Sequence, residues 1–218
     1  MRITLMNASP KGKDSASQQL IDRFIPFLKD DEYGVLEVNP QMDEKLAELA
    51  VNASDAVVIF APIYLDSLPC SALALMDVLE AKVRKKGLRV AAVLQCGFYE
   101  PENTEGAMEV LRQWCQQNEY VFTGGIGIGA GGALAGLKKV KTGRGLLKQL
   151  PKAYASLYES LKTGKGNDLY FSLSVSKRLY TFFAELGWKK AVHQQGLENA
   201  DLAYQPKGPN SEKFSKEN

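Results

Sequence analysis

The chain has 218 residues, 45% of them hydrophobic and 24% charged, which suits one well-packed core with little room for a second full domain and argues against disorder. A net charge of +2 is too mild for a nucleic-acid footprint, and no apolar run is long enough to span a bilayer, so neither a nucleic-acid partner nor an integral membrane segment is expected. Three cysteines without a C-x-x-C pair and a single histidine match no familiar metal spacing; reduced thiols, no metal site and, with no leader pattern at the N-terminus, a cytoplasmic location are expected.

The opening segment sets the pattern. Extended residues Arg2 to Met6 run into a turn-rich stretch, Asn7 to Asp14, and then into a helical repeat with Leu20, Ile21, Phe24, Ile25 and Leu28 on one face. Around Gly12 this loop collects Ser9, Lys11, Lys13, Ser15 and Ser17 at the start of a helix. The unpaired N–H groups of a first turn, the helix dipole and serine hydroxyls together favour a phosphate. Capping of the helix by Ser15 or Ser17 is the competing explanation. The loop is neither G-x-x-x-x-G-K-[ST] nor G-x-G-x-x-G.

Downstream, Gly34 to Val38 reads as a short strand and Met42 to Val51 as a helix. Ala56 to Ala61 is a solid apolar run, the mark of a strand covered on both faces, which Pro62 is expected to end. Ile63 to Pro69 reads as loop and Ser71 to Val83 as a helix, its basic end at Lys82, Arg84, Lys85 and Lys86 suiting a helix C-terminus. Leu88 to Leu94 is the next strand, leading through Gln95, Cys96 and Gly97 to a helix with Thr104 as its expected N-cap. A fifth strand lies within Tyr120 to Ile128, followed by a glycine-dense stretch to Gly136 and a helix around Arg144 to Leu161. After a Lys/Gly-rich break at Thr163 to Asn167 comes an aromatic helix from about Val175 to Val192.

Strands alternating with helices predict a doubly wound parallel sheet, whose ligands bind outside the carboxyl ends of the strands where strand order reverses. Three such ends carry unusual residues: Asn7 to Ser17, Pro62 to Pro69, and Cys96 to Pro101. A phosphate nest beside two loops of apolar, aromatic, glycine and proline residues suits a planar aromatic ligand with a phosphate tail, FMN better than a simple nucleotide. Gly127 to Gly132 does satisfy G-x-G-x-x-G, but no strand and acid follow it, so it reads as close-packed turn backbone.

The segments NASPKGKDSAS, APIYLDSLPCSALALMDVLE, LQCGFYEPENTEGAMEVLRQWC and GGIGIGAGG, in this order, resemble the flavodoxin-like NAD(P)H-dependent FMN reductase family across residues 1 to 135. The stretch from Trp188 to Gly196 is similar to the C-terminal tail of some members. The resemblance implies a five-stranded parallel sheet of order 2-1-3-4-5, non-covalent FMN, and a ping-pong cycle passing hydride from NADPH or NADH to the flavin and on to a quinone, a free flavin or another small acceptor. By the same resemblance Ser9, Lys11, Ser15, Ala16 and Ser17 match the phosphate loop. Pro62, Ile63, Tyr64, Leu65 and Asp66 match one ring-side loop, and Cys96, Gly97, Phe98 and Tyr99 match the other, with backbone of Gly97 and Phe98 near the flavin N1 edge and no side-chain catalyst required. Ala8 departs from the family's frequent glycine, and Gly12-Lys13-Asp14 from its frequent asparagine and glycine.

Two rival functions stand beside this one: a flavodoxin-type electron carrier without a nicotinamide site, and a flavin-free α/β binding protein. Lys138, Lys139, Lys141 and Arg144 are either a solvated face or a receiver for the 2′-phosphate of NADPH. The expected organisation is a flavin-binding domain over 1–165, a C-terminal helical extension over 166–204 and a flexible tail over 205–218. Leu169, Tyr170, Phe171, Leu173, Leu179, Tyr180, Phe182, Phe183, Leu186 and Trp188 give that extension more apolar surface than one helix needs. It packs on its own domain, joins a homodimer or lids a neighbour's flavin, or attaches to a membrane surface.

Overall fold

The computed structural model describes residues 1–39 and 41–204; the tail expected over 205–218 lies outside the described residues. The chain runs β1 (Arg2–Asn7), α1 (Ala16–Phe24), β2 (Glu32–Glu37), α2 (Glu44–Asn52), β3 (Ala56–Ile63), α3 (Cys70–Lys82), β4 (Arg89–Cys96), α4 (Glu105–Gln117), β5 (Val121–Gly129), α5 (Leu150–Thr163), β6 (Leu169–Ser172) and α6 (Lys177–Gln194). The sheet is parallel throughout with order β2-β1-β3-β4-β5-β6, a flavodoxin-like arrangement with one strand more than the five expected. By Cα proximity the chain divides into one unit over Met1–Ser176 and a second beginning at Lys177.

β3 is buried along its whole length because it lies between two strands and under helices on both faces. Val57, Ile59, Ala61 and Ile63 join the core that α2, α3 and α4 close with Val51, Leu75, Leu79 and Leu111. On the other face Phe24 of α1 packs 5.9 Å from Phe60 and edge-on at 5.2 Å from Tyr154 of α5, whose hydroxyl donates to the Leu20 carbonyl at 3.0 Å. Each such buried side chain contributes roughly 1.5–3 kcal/mol, so the period-two alternation of β3 anchors both helical layers. The strand does not stop at Pro62, which pairs with Gln95 of β4. Alternate residues of a strand direct their N–H to the same neighbour, and Phe60 serves β1, its carbonyl accepting from Ala8 at 2.9 Å. Pro62 therefore presents its missing donor to the side where β1 has already ended, so a central strand tolerates it.

β5 explains the glycine run. Val90 and Ala92 of β4 pair with Phe122 and Gly125, two steps against three, and the extra residue is a bulge in which Gly124 takes φ +103°. A Cβ at Gly125 would lie 2.4 Å from the Met108 sulfur, one at Gly127 2.2 Å from Thr104 Oγ1, and one at Gly129 2.1 Å from the Tyr99 carbonyl oxygen. α4 and the 3₁₀ turn before it, Pro101–Thr104, thus rest on bare strand backbone. The G-x-G-x-x-G string is close-packed as expected, but its first half is strand rather than turn. Thr104 stands at the start of α4 without capping it; its hydroxyl donates to Pro101 at 2.7 Å.

The sixth strand corrects the reading of Leu169, Tyr170 and Phe171 as helical surface. They pair with Ile126, Gly127 and Ile128, and Asp168 just before them accepts from the Gly125 amide at 2.8 Å and pairs with Arg112. With only four residues, all half-buried, this strand has neither the length nor the clean alternation that marks one in sequence. The helix expected from Arg144 starts later, a 3₁₀ turn at Gly145–Leu147 preceding α5. At the opposite edge, β2 is largely exposed, including Tyr33 and Val35. The second unit holds α6, whose Leu179, Phe182, Phe183, Leu186 and Trp188 are exposed, and a 3₁₀ turn at Asn199–Ala203 with a Glu198/Asp201 capping box. Among the described residues no helix is long and apolar enough to cross a membrane.

Gly129→Ala is expected to lower the unfolding free energy by about 2 kcal/mol or more in urea titrations, because the methyl would collide with backbone that cannot swing aside. Gly136→Ala, with open space around it, is expected to fall within about 0.5 kcal/mol of the parent. A second prediction concerns pH. The N-terminal ammonium, 2.6 Å from Asp31, and the Tyr158 hydroxyl hold the Asp31 carboxyl below its ordinary 3.8. A depressed carboxylate stabilises the fold above its unfolded pKa and loses that contribution as pH falls through its folded one. Asp31→Asn should therefore destabilise at pH 7, with the difference from the parent closing below pH 3.8.

Candidate functional site at the carboxyl ends of β1, β3 and β4

Strand order reverses between β1 and β3: α1 leaves β1 toward one face, and α3 leaves β3 toward the other. The loops that follow these strands diverge there, and this is the position at which doubly wound sheets bind ligands.

The first loop is organised by Asn7, the last residue of β1 and fully buried. Its Nδ2 donates to the Gly12 carbonyl at 2.9 Å and to Gln18 Oε1 at 3.1 Å. Its Oδ1 accepts from the Ser9 amide at 3.2 Å and from the Ser15 hydroxyl at 3.4 Å. Ser15 is the N-cap of α1, accepting from the Gln18 amide at 3.0 Å, so the capping explanation holds for Ser15. Gly12 takes φ +52° with Glu37 so close that a Cβ would lie 2.4 Å from its carboxylate; glycine serves both needs. Lys11, Lys13 and Asp14 point outward as exposed residues, whereas Ser9, Ser15 and Ser17 are buried.

Ser17 differs from the other two serines. Its hydroxyl is buried and has no hydrogen-bond partner. It sits in the first turn of α1, where the amides of Ala16 and Ser17 precede the first intrahelical bond. A buried hydroxyl left unpaired costs roughly 1–3 kcal/mol, so an anionic acceptor at this turn would relieve an existing penalty.

The second loop adjoins the first: the Ser71 hydroxyl donates to the Ala8 carbonyl at 2.7 Å. Ala8 itself is fully buried within the hydrophobic core, which explains why alanine serves where glycine would. Pro62 and Ile63 belong to β3 and are buried, while Tyr64, Leu65 and Asp66 stand exposed in a tight turn closed by reciprocal Tyr64 and Ser67 backbone bonds of 3.0 and 3.1 Å. Its central residues, Leu65 at φ +50° and Asp66 at φ +60°, adopt the primed-turn conformation usually reserved for glycine or asparagine. Leu65 is 97% exposed, so an apolar side chain is held in water on a strained backbone.

The third loop leaves β4 beside the second, since Ile63 pairs with Cys96. Tyr99 is anchored, its hydroxyl donating to Val175 at 3.0 Å and its carbonyl accepting from Ser172 Oγ at 2.6 Å. Phe98 accepts at its carbonyl from Ala130, yet its ring is exposed, and a Cβ at Gly97 would meet nothing. Burial pushes the Cys96 thiol above its usual range, and its sulfur faces the Glu100 carbonyl at 3.3 Å, an environment for an inert thiol. Sequence reasoning missed Asn7 as the organiser, together with Gln18, Glu37 and Ser172. A buried asparagine ending a strand just before a serine-rich loop is the one signal that could have marked it.

The sequence matches no protein-family model, and no curated protein matches it. Solved structures do. A flavodoxin, WrbA-like protein from Agrobacterium tumefaciens superposes with TM-score 0.51 at 9% identity, over 75% of this chain and 99% of that one. The flavodiiron protein from Giardia intestinalis gives 0.50 at 14% identity, over 75% of this chain and 36% of that one. The flavoenzyme NAD(P)H:(acceptor) oxidoreductase FerB from Paracoccus denitrificans gives 0.46 at 18% identity, over 56% of this chain and 74% of that one. At such identities the likeness establishes the flavodoxin-like fold and nothing narrower.

Replacing Asn7 with alanine removes all four of its bonds and orphans buried groups, so a loss of about 3 kcal/mol is expected in chemical denaturation, with β1 and α1 retained by circular dichroism.

Proposed function

We propose that this chain is an FMN-dependent oxidoreductase that takes reducing equivalents from NADPH or NADH and delivers them to a quinone, a free flavin or another small acceptor. The observation that carries the reading is the unpartnered, buried Ser17 hydroxyl in the first turn of α1, at the point where strand order reverses. A phosphate there would gain that hydroxyl, the amides of Ala16 and Ser17 and the positive end of the helix dipole. Asn7 and Ser15 are committed to holding the loop, and so act by position.

The exposed turn Tyr64–Ser67 and the Phe98 ring supply apolar surface for a planar ligand beside that phosphate. The Gly97–Phe98 backbone is the proposed source of amide donors to an anionic ring edge. Bound FMN would supply the redox chemistry, accepting a hydride from the nicotinamide and passing it on. The residues then need only bind, orient and exclude water. A dimer, or a lid formed by the exposed apolar residues of α6, belongs to this proposal as well.

FMN fluorescence should be quenched on addition of the protein, and NADPH or NADH should bleach the bound flavin anaerobically with no partner protein present. Persisting fluorescence would reject the cofactor; quenching without bleaching would make the chain an electron carrier. Ser17→Ala should weaken FMN about tenfold while leaving the FMN-free protein as stable or slightly more so, since it removes an unpaired buried hydroxyl.

A further inference from the structure

A concave surface lies beside the first loop, between α1 and the segment over 138–142. It is an open cleft of about 530 Å³. Lys13 and Arg23 line it from the α1 side and Lys138, Lys139 and Lys141 from the other, against Asp22 as the one carboxylate. Five cations to one acid is a marked local excess in a chain whose total is +2. Asp22 is engaged by the Gln18 amide at 2.9 Å, and the Asp14 carboxylate reaches only Lys138, at 4.0 Å. Among the described residues Lys13, Lys139 and Lys141 make no salt bridge.

The cleft is also held in shape. Arg23 threads its guanidinium into the facing segment, donating to the carbonyls of Val140 at 2.7 Å and Leu137 at 2.6 Å and to Thr142 Oγ1 at 3.2 Å. Those bonds fix the backbone that carries the three lysines, so the charges are presented by a fixed wall rather than a loose loop. Gln19 lines the same cleft, and its Oε1 is buried with no donor. An amide with one end unsatisfied beside a cationic wall suits a ligand with a hydroxyl or amino donor close to a phosphate, as a phosphorylated ribose has.

The cleft adjoins the site described above through Lys13, and the chain links its other wall to the loop after β4. Lys13 belongs to the loop after β1, and the segment that ends at Thr142 begins at Ala130, whose amide donates to the Phe98 carbonyl. We infer that this cleft receives the 2′-phosphate end of the dinucleotide, and so makes the chain prefer NADPH to NADH; the inference rests on the oxidoreductase reading for its dinucleotide.

Isothermal titration of the full chain with adenosine 2′,5′-bisphosphate and with 5′-AMP tests this without any turnover. The bisphosphate should bind about tenfold tighter or better, and Lys139→Glu/Lys141→Glu should bring the two ligands to equal affinity. Raising the salt concentration should weaken the bisphosphate far more than 5′-AMP in the unmodified chain, a measurement that does not depend on the variant folding. Saturating FMN should leave bisphosphate binding intact. Equal affinities in the unmodified chain, a preference that survives the charge reversal, or displacement by FMN would each overturn the inference. Failure of the flavin reading shows differently, as unquenched FMN in samples that keep the bisphosphate preference.

Discussion

One buried amide holds the candidate site together. Asn7 is where β1 stops being a strand, and from its fully buried position it bonds to the backbone of Ser9 and Gly12 and the side chains of Ser15 and Gln18. A side chain that donates twice and accepts twice has its capacity nearly filled, so the loop is fixed by groups that spend nothing on a ligand. That is why Ser9 and Ser15, although buried, are committed to the loop, while Ser17 is the one of these three serines left with an unused hydroxyl. Preorganisation of this kind places the cost of ordering the loop in folding rather than in binding.

The other two loops reach the same edge by different means. Tyr64–Ser67 is closed by its own backbone, with two non-glycine residues in the left-handed region, so its shape is maintained at a local conformational cost. Gly97–Glu100 is held from outside, by Ser172 and Val175 through Tyr99 and by the bare backbone of Gly129 beneath it. The sixth strand is thus more than an extra edge: it brings Ser172 to the loop that follows β4.

Much of this was legible in the residues. Solid apolar runs such as Ala56 to Ala61 mark strands covered on both faces, and Leu20, Ile21 and Phe24 at helical spacing mark the face of α1, so a doubly wound parallel sheet followed from the residues, while the order β2-β1-β3-β4-β5 came from the family resemblance. What escaped were features fixed by distant partners. β6 is too short to show a period and exists because β5 offers an edge and Asp168 a bond to Gly125. Pro62 continues a strand only because β1 ends before reaching it. Asn7 reads as ordinary loop onset until Ser15 and Gln18, eight and eleven positions later, fold back on it. The cleft beside α1 needed Arg23 to be brought against a segment more than a hundred residues away.

The exposed margin of the sheet carries its own safeguard. β2 offers an unpaired backbone edge with Tyr33 and Val35 showing, the raw material for pairing with another copy. Yet it begins and ends with a carboxylate. Glu32 at one end is held in an ion pair with Arg2, and Glu37 at the other stands against the glycine turn at Gly12. Charged groups thus bracket the exposed Tyr33 and Val35, keep water on this margin and oppose the addition of a further strand.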